Sequence, residues 1–60
     1  MYTVWKYDGS YTELETTDFW MEARNLAKRH SANDLKSSFI IQDNIRGNCY
    51  DSDGRPVKMP

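Results

Sequence analysis

An Asp-Gly pair near the start of the chain separates two runs of aromatic and β-branched residues. Asp8 and Gly9 stand between residues 2–7 and residues 10–16, and Asp-Gly is a preferred pair for the two-residue type I′ turn of a β-hairpin. We therefore predict a hairpin in which Tyr7 pairs with Ser10. This register determines which side chains share a face of the sheet, and so which of them are buried.

The predicted register sorts the hairpin side chains into two sets. The set with less charge is predicted to face the core, and it consists of Thr3, Trp5, Tyr7, Thr12 and Leu14. The other set is predicted to lie on the outer face, and it consists of Tyr2, Val4, Lys6, Tyr11, Glu13 and Glu15. The outer set holds more apolar surface than a solvated face needs, which is typical of a surface that binds a partner.

An amphipathic helix is predicted to follow the hairpin. Residues 16–18 favour a helix N-terminus, and residues 31–34 favour its end. At 100° per residue, one arc of the helix collects the side chains expected to face the core, namely Phe19, Trp20, Ala23, Leu26, Ala27 and His30. Because Ala23 and Ala27 are small, we expect the helix to lie close to the sheet, over Trp5.

Two more strands are predicted in the second half of the chain. Residues 38–43 contain an apolar run that does not alternate, so either Phe39 and Ile41 or Ile40 point inward, and we favour the first arrangement. Residues 48–51 are predicted to form a short fourth strand between turns at residues 44–48 and 53–54. Pro56 restricts the tail to an edge segment or a loose end.

These elements predict an α+β fold with the element order ββαββ. A right-handed crossover places the third strand beside the first and antiparallel to it, which gives a small antiparallel sheet of order 2-1-3-4 with one amphipathic helix on one face. The 60 residues are predicted to form a single domain, 1–60, whose tail from about residue 55 need not be ordered. A chain of this length buries only about 60% of its unfolded surface, so the core is expected to be thin.

The composition narrows the class of partner and the compartment. Eight basic and nine acidic residues give a net charge of −1, which argues against a strongly anionic partner such as bulk nucleic acid or a membrane. Cys49 is the only cysteine, so no internal disulfide can form and a reducing compartment is favoured. With no apolar run of membrane-spanning length and no signal-peptide pattern, we expect a cytoplasmic protein of a bacterium, phage or plasmid.

The sequence contains no pattern that indicates catalysis, a cofactor or a metal site. The single histidine, His30, is expected to be structural, since its spacing suggests no nucleophile or orienting carboxylate. Cys49 is expected to be an incidental thiol. Residues 51–54 are expected to form a turn, because the further oxygen ligands of a calcium loop are missing. We therefore predict no enzyme activity, no cofactor and no metal.

Two binding functions fit these predictions. The first is a protein-interaction module, such as an inhibitor or accessory factor, that binds a protein partner or a second copy of itself through the open sheet face or an edge strand. Its site would consist of Tyr2, Val4 and Tyr11. The alternative is a nucleic-acid-binding module, in which basic residues act beside aromatic side chains. Its site would consist of Arg24, Lys28, Arg29 and Arg46. Acidic side chains among the outer tyrosines oppose the alternative, so we favour the first.

Overall fold

The computed structural model describes residues 1–58, which form a five-stranded antiparallel sheet with one helix packed against one face. In chain order the elements are β1 (Tyr2–Tyr7), β2 (Tyr11–Thr17), α1 (Trp20–Asn33), β3 (Ser38–Asp43), β4 (Cys49–Asp51) and β5 (Pro56–Val57). The strands lie side by side in the order β2-β1-β3-β4-β5. The predicted α+β fold and the strand order 2-1-3-4 are confirmed, and β5 extends the sheet by one edge strand.

The first hairpin closes with a three-residue loop, so the two-residue turn predicted at Asp8-Gly9 is wrong. Tyr7 pairs with Tyr11 rather than with Ser10, and residues 8–10 form the loop. Gly9 lies in the middle of this loop with a φ of +110°. The additional loop residue shifts β2 by one position against β1, and a shift of one residue changes which side chains of the two strands share a face.

The register changes again between Val4 and Trp5. Trp5 pairs with Glu13 and Val4 pairs with Glu15, so Leu14 is the extra residue of a β-bulge. Leu14 packs against the core and Glu15 contacts the helix, so both lie on the side of the sheet that α1 covers. Glu13 lies on the other side, beside Trp5. The two carboxylates that were predicted to share one face are therefore separated.

The core lies between α1 and the central strands β1 and β3. Its buried apolar side chains are Val4, Ala23, Ala27, Phe39 and Ile41. The inward orientation predicted for Phe39 and Ile41 is confirmed. The position predicted for Trp5 under the helix is wrong, because Val4 packs there instead. A helix that approaches through two alanines leaves room for a valine, whereas an indole is larger and carries an N–H that needs a partner.

The helix begins one residue later than its predicted apolar arc. Phe19, which was predicted to face the core, is the N-cap residue, has extended backbone angles (φ −113°, ψ 130°) and is 69% exposed. Because Phe19 lies outside the helical repeat, its side chain does not follow the direction of the arc. Trp20 anchors the first turn instead, since its ring lies 5.5 Å from the ring of Tyr2 and 4.8 Å from the ring of Tyr50.

A buried carboxylate organises the loop between β3 and β4. Oδ1 of Asp43 accepts the backbone N–H groups of Ile45 and Arg46, at 2.9 and 3.1 Å, and the backbone carbonyl of Asp43 accepts the N–H of Gly47 at 2.8 Å. Hydrogen bonds from the N–H of Arg46 and then of Ile45 hold the pKa of Asp43 below its usual value. The turn predicted over residues 44–48 is confirmed.

A second carboxylate closes the turn between β4 and β5. Oδ1 of Asp51 accepts the backbone N–H groups of Asp53 and Arg55, both at 2.9 Å. The carbonyl of Asp51 accepts the N–H of Gly54 at 3.0 Å. The turn predicted at Asp53-Gly54 is therefore confirmed.

Gly54 brings this turn into contact with the helix. Its φ is +87°, and a Cβ atom built on it would lie 3.2 Å from Nε of Arg24 and 3.3 Å from Cζ2 of Trp20. Nε of Arg24 is buried here and makes no hydrogen bond within the described residues. The position therefore requires glycine for its backbone conformation and for the space above it.

The described part of the chain contains no helix that is long and apolar enough to cross a membrane. The tail from residue 55 contributes β5, so the edge segment that Pro56 allowed is present. Residues 59 and 60 of the predicted domain lie outside the described residues.

Candidate binding face

The side of the sheet opposite α1 carries aromatic and polar side chains, and we call it the open face. Side chains alternate along each strand and cross-strand pairs share a face, so the register places on it Thr3, Trp5, Tyr7, Tyr11, Glu13, Thr16, Ser38, Ile40, Gln42, Cys49, Asp51 and Val57. Ile40 is only 4% exposed, although the helix lies on the other side. Its burial means that the surrounding side chains form a second, smaller apolar layer on the open face.

Three aromatic rings form a cluster on the open face. The rings of Tyr7 and Tyr11 pack against each other across the first hairpin, with centroids 4.7 Å apart and their planes tilted by 46°. Tyr11 makes a T-shaped contact with Trp5 at a centroid distance of 6.2 Å. The indole N–H of Trp5 donates a 3.0 Å hydrogen bond to Oε1 of Gln42. These contacts fix the rings before any partner binds, which lowers the entropy cost of binding.

One carboxylate borders the aromatic cluster. Glu13 is the cross-strand partner of Trp5 and is two residues from Tyr11 along β2. Among residues 1–58 the lysine–carboxylate ion pairs are Lys6–Asp8 and Lys6–Asp34, and Glu15 has the imidazole of His30 at 3.4 Å. Glu13 takes part in none of them, so its charge is not neutralised by a neighbouring cation in the described part of the chain.

The environment of Tyr11 disfavours its ionised form. Partial burial raises the pKa of Tyr11 above its usual value, and the neighbouring Tyr7 and Cys49 add to the rise. The hydroxyl therefore stays protonated through the physiological range.

An open cleft of about 650 Å³ adjoins the cluster, between the β3–β4 loop and β5. Its lining consists of Gln42, Gly47, Asn48, Cys49, Tyr50, Pro56, Val57 and Lys58. Gln42 lines the cleft and also holds the indole of Trp5, so the cleft and the aromatic cluster form one continuous surface. The volume lies in the range of ligand pockets in proteins.

Two of the three residues predicted to bind a partner lie on the helix side. Val4 is fully buried beneath α1, and Tyr2 packs its ring against Trp20 and the core. Their predicted place on the outer face is therefore wrong, because the three-residue loop and the requirement for a small side chain under α1 reverse the two sides of β1. Tyr11 lies on the open face, as predicted, and is 36% exposed.

The basic residues of the alternative site are dispersed. Arg24 is half-buried over the turn at Gly54. Lys28 and Arg29 are exposed on α1, and Arg46 is exposed in the β3–β4 loop. Because α1 and the open face lie on opposite sides of the sheet, the helix cations are separated from the aromatic cluster.

The single histidine makes contacts of a structural kind. Nε2 of His30 lies 3.4 Å from Oε2 of Glu15, and its ring stacks on Phe39 with centroids 5.9 Å apart. These contacts tie the last turns of α1 to β2 and β3. Residues 1–58 contain no group of three or more His, Cys, Asp or Glu side chains placed to hold a metal ion.

Sequence reasoning missed Trp5, Tyr7 and Gln42 as members of the open face. One signal could have found them. The run Phe39-Ile40-Ile41 does not alternate, and an unbroken apolar run is typical of a strand covered on both sides. Burial of Ile40 requires large side chains on its own face, and Trp5 is its direct cross-strand partner.

Comparisons with protein-family models, with curated proteins and with solved structures found no match to this chain. The functional conclusion therefore depends on the geometry of the open face.

Proposed function

We propose that this chain is a protein-interaction module that binds its partner through the open face. The observation that carries the proposal is the cluster of Trp5, Tyr7 and Tyr11, held together by ring contacts and by the hydrogen bond to Gln42 on a side of the sheet without a helix. Tryptophan and tyrosine dominate the energetic centres of protein interfaces. Rings that are fixed in advance bind with a smaller entropy cost.

The open face is a better candidate than either edge of the sheet. The edge strand β2 is interrupted by the bulge at Leu14, and the edge strand β5 has two residues, one of them Pro56. Bulges, short strands and proline are features by which native sheet edges avoid pairing with another chain. These features disfavour strand addition and support binding by the face.

The distribution of charge favours a protein partner over a nucleic acid. Single-stranded nucleic acid is bound where cations follow the phosphates beside stacking aromatic rings. Here Lys28 and Arg29 lie on the helix, across the sheet from the rings, and Glu13 borders the rings with a negative charge. The proposal also includes a non-enzymatic role and a cytoplasmic location for a protein of a bacterium, phage or plasmid. Cys49 supports the location alone, because a sequence with a single cysteine can form no internal disulfide and suits a reducing compartment.

Affinity capture with matched variants tests the proposal. The tagged wild-type chain, Tyr11→Ala and Phe19→Ala are incubated with bacterial lysate, and retained proteins are identified by mass spectrometry and bound again in purified form. Phe19 is a matched control because it is an exposed aromatic residue away from the open face. We expect a retained protein that Tyr11→Ala releases and Phe19→Ala keeps.

Light scattering of the purified chain identifies the case in which the partner is a second copy. A dimer that Tyr11→Ala dissociates assigns the open face to self-association. Capture that is equal for the wild type and both variants rejects the open face as the binding surface. Circular dichroism of each variant confirms that loss of capture is not loss of folding.

A further inference from the structure

We propose that Glu13, together with the rings of Trp5 and Tyr11, forms a subsite for a lysine or arginine side chain of the protein partner. This inference rests on the proposed function and specifies the chemistry of the partner. The partner then presents a cation from a basic segment to the β2 side of the open face.

The register brings the three groups together. Glu13 and Trp5 are direct cross-strand partners, and such pairs have Cβ atoms about 5 Å apart. Tyr11 precedes Glu13 by two residues on the same strand, and its ring contacts Trp5. A cation placed here lies beside a carboxylate and two aromatic rings in edge-to-face contact, and carboxylates and aromatic rings are the groups that attract lysine and arginine.

Within residues 1–58 no cation forms an ion pair with Glu13, so its carboxylate can pair with an external cation. Glu15, the other carboxylate of β2, is turned to the helix and contacts His30. Asp51, which lies on β4, accepts hydrogen bonds from its own turn. Glu13 is thus the carboxylate beside the rings that no ion pair engages within residues 1–58.

A second copy of the chain is a poorer occupant than a basic segment. In a two-fold contact between two open faces, both copies would bring Glu13 into the same interface. Like charges in an interface are unfavourable unless cations compensate them. Lys58 lines the cleft on this face, but the face also carries a second carboxylate, Asp51, so the three charges leave it net negative. Charge complementarity therefore favours a partner segment that carries lysine or arginine.

Peptide titration followed by NMR tests the subsite directly. The probe is the capped pentapeptide Gly-Ala-Arg-Ala-Gly, and the control peptide replaces arginine by citrulline, which has a similar shape without the charge. Spectra of the ¹⁵N-labelled chain follow the backbone signals of residues 11–13 and the indole N–H of Trp5. We expect saturable shifts with the arginine peptide and weaker binding at higher salt, because exposed charges are screened.

Two carboxylate variants provide the matched comparison. Glu13→Gln is expected to weaken binding of the arginine peptide about three- to tenfold, as for the loss of one exposed ion pair beside a cation–π contact. Glu15→Gln is expected to leave the affinity unchanged, because Glu15 lies on the opposite side of the same strand. The dispersion of the spectra shows at once whether each variant is folded.

The outcomes separate this inference from the proposed function. Equal binding of the arginine and citrulline peptides, or equal weakening by Glu13→Gln and Glu15→Gln, overturns the cation subsite. If the open face still captures a protein that Tyr11→Ala releases, the proposed function stands without the subsite. If Tyr11→Ala changes neither capture nor peptide binding, both are rejected.

Discussion

Replacing Gly54 by alanine tests how the turn between β4 and β5 is held against the helix. The change adds one methyl group at a φ of +87°, where that methyl would lie 3.2 Å from Nε of Arg24 and 3.3 Å from Cζ2 of Trp20. Gly47→Ala is the matched control, because Gly47 has a similar φ of +79° and nothing within 4 Å of the added atom. The pair of variants separates backbone strain from crowding.

The magnitude follows from two contributions. A left-handed backbone costs a residue with a Cβ atom about 1–2 kcal/mol, and the lower entropy of the unfolded alanine chain offsets part of this. We therefore expect Gly47→Ala to lower the free energy of unfolding by about 1 kcal/mol. Crowding in a packed site adds about 1–3 kcal/mol, since the indole of Trp20 is rigid and lies between two other rings. Gly54→Ala should cost about 3 kcal/mol.

Urea denaturation followed by far-ultraviolet circular dichroism measures both variants. A difference of about 2 kcal/mol corresponds to about 8–16 °C in melting temperature for a domain of this size. Adding Arg24→Ala to Gly54→Ala removes one of the two crowded contacts and should recover part of the loss, which a double-mutant cycle quantifies. Equal destabilisation by Gly54→Ala and Gly47→Ala would refute the contact between the turn and the helix.

Two other predictions concern the core and the acid limit of stability. Val4→Ala should lower the free energy of unfolding by about 2 kcal/mol in the same urea assay, because it removes two buried carbon atoms. The control is Thr12→Ala at an exposed position, which should change that free energy by less than about 0.5 kcal/mol. Equal effects of the two substitutions would contradict the burial of Val4. The pKa of Asp43 is lower in the folded chain than in the unfolded chain. The ionised Asp43 therefore stabilises the fold fully above the unfolded pKa of about 4, and this stabilisation is lost as the pH falls towards the folded pKa. Urea midpoints of Asp43→Asn should decline less steeply than those of the wild type below about pH 5, and parallel declines would show that the hydrogen bonds to Ile45 and Arg46 do not depend on the charge.

The fold could be predicted because its strongest signals are local. The Asp8-Gly9 pair indicated the first hairpin, the spacing of Ala23 and Ala27 indicated a helix that lies close to the sheet, and the handedness of the crossover placed β3 beside β1. Each signal depends on a few neighbouring residues or on a general rule of chain connection. The sheet order was therefore accessible without coordinates.

The sides of the sheet could not be predicted, because they depend on a single residue of loop length. Asp8-Gly9 is compatible with a two-residue turn and with the three-residue loop that Ser10 completes, and the two differ by one position of register. The bulge at Leu14 adds a second shift of register, which no residue type in β2 predicts. The predicted place of Tyr11 on the open face is correct, because the loop shifts β2 relative to β1. The same shift makes the predicted places of Val4 and Tyr2 on that face wrong.

The candidate site depended on that same uncertainty. Trp5 was assigned to the core because its set of hairpin side chains carries less charge, but its indole is too large to fit under two alanines. The N–H of its indole needs an acceptor, and Gln42 on β3 provides one across 37 positions of sequence. A pairing over that distance cannot be read from local patterns.

The burial of Ile40 has a consequence for how the open face can change in evolution. Trp5, which we propose for recognition, is also the cross-strand partner of this residue, so a mutation of Trp5 acts on folding and on partner choice together. Neutral substitution of Trp5 is then restricted both by the stability of the fold and by binding of the partner. Sequence variation among descendants of this chain should accumulate in the loops around the open face, while the aromatic residues at its centre are retained.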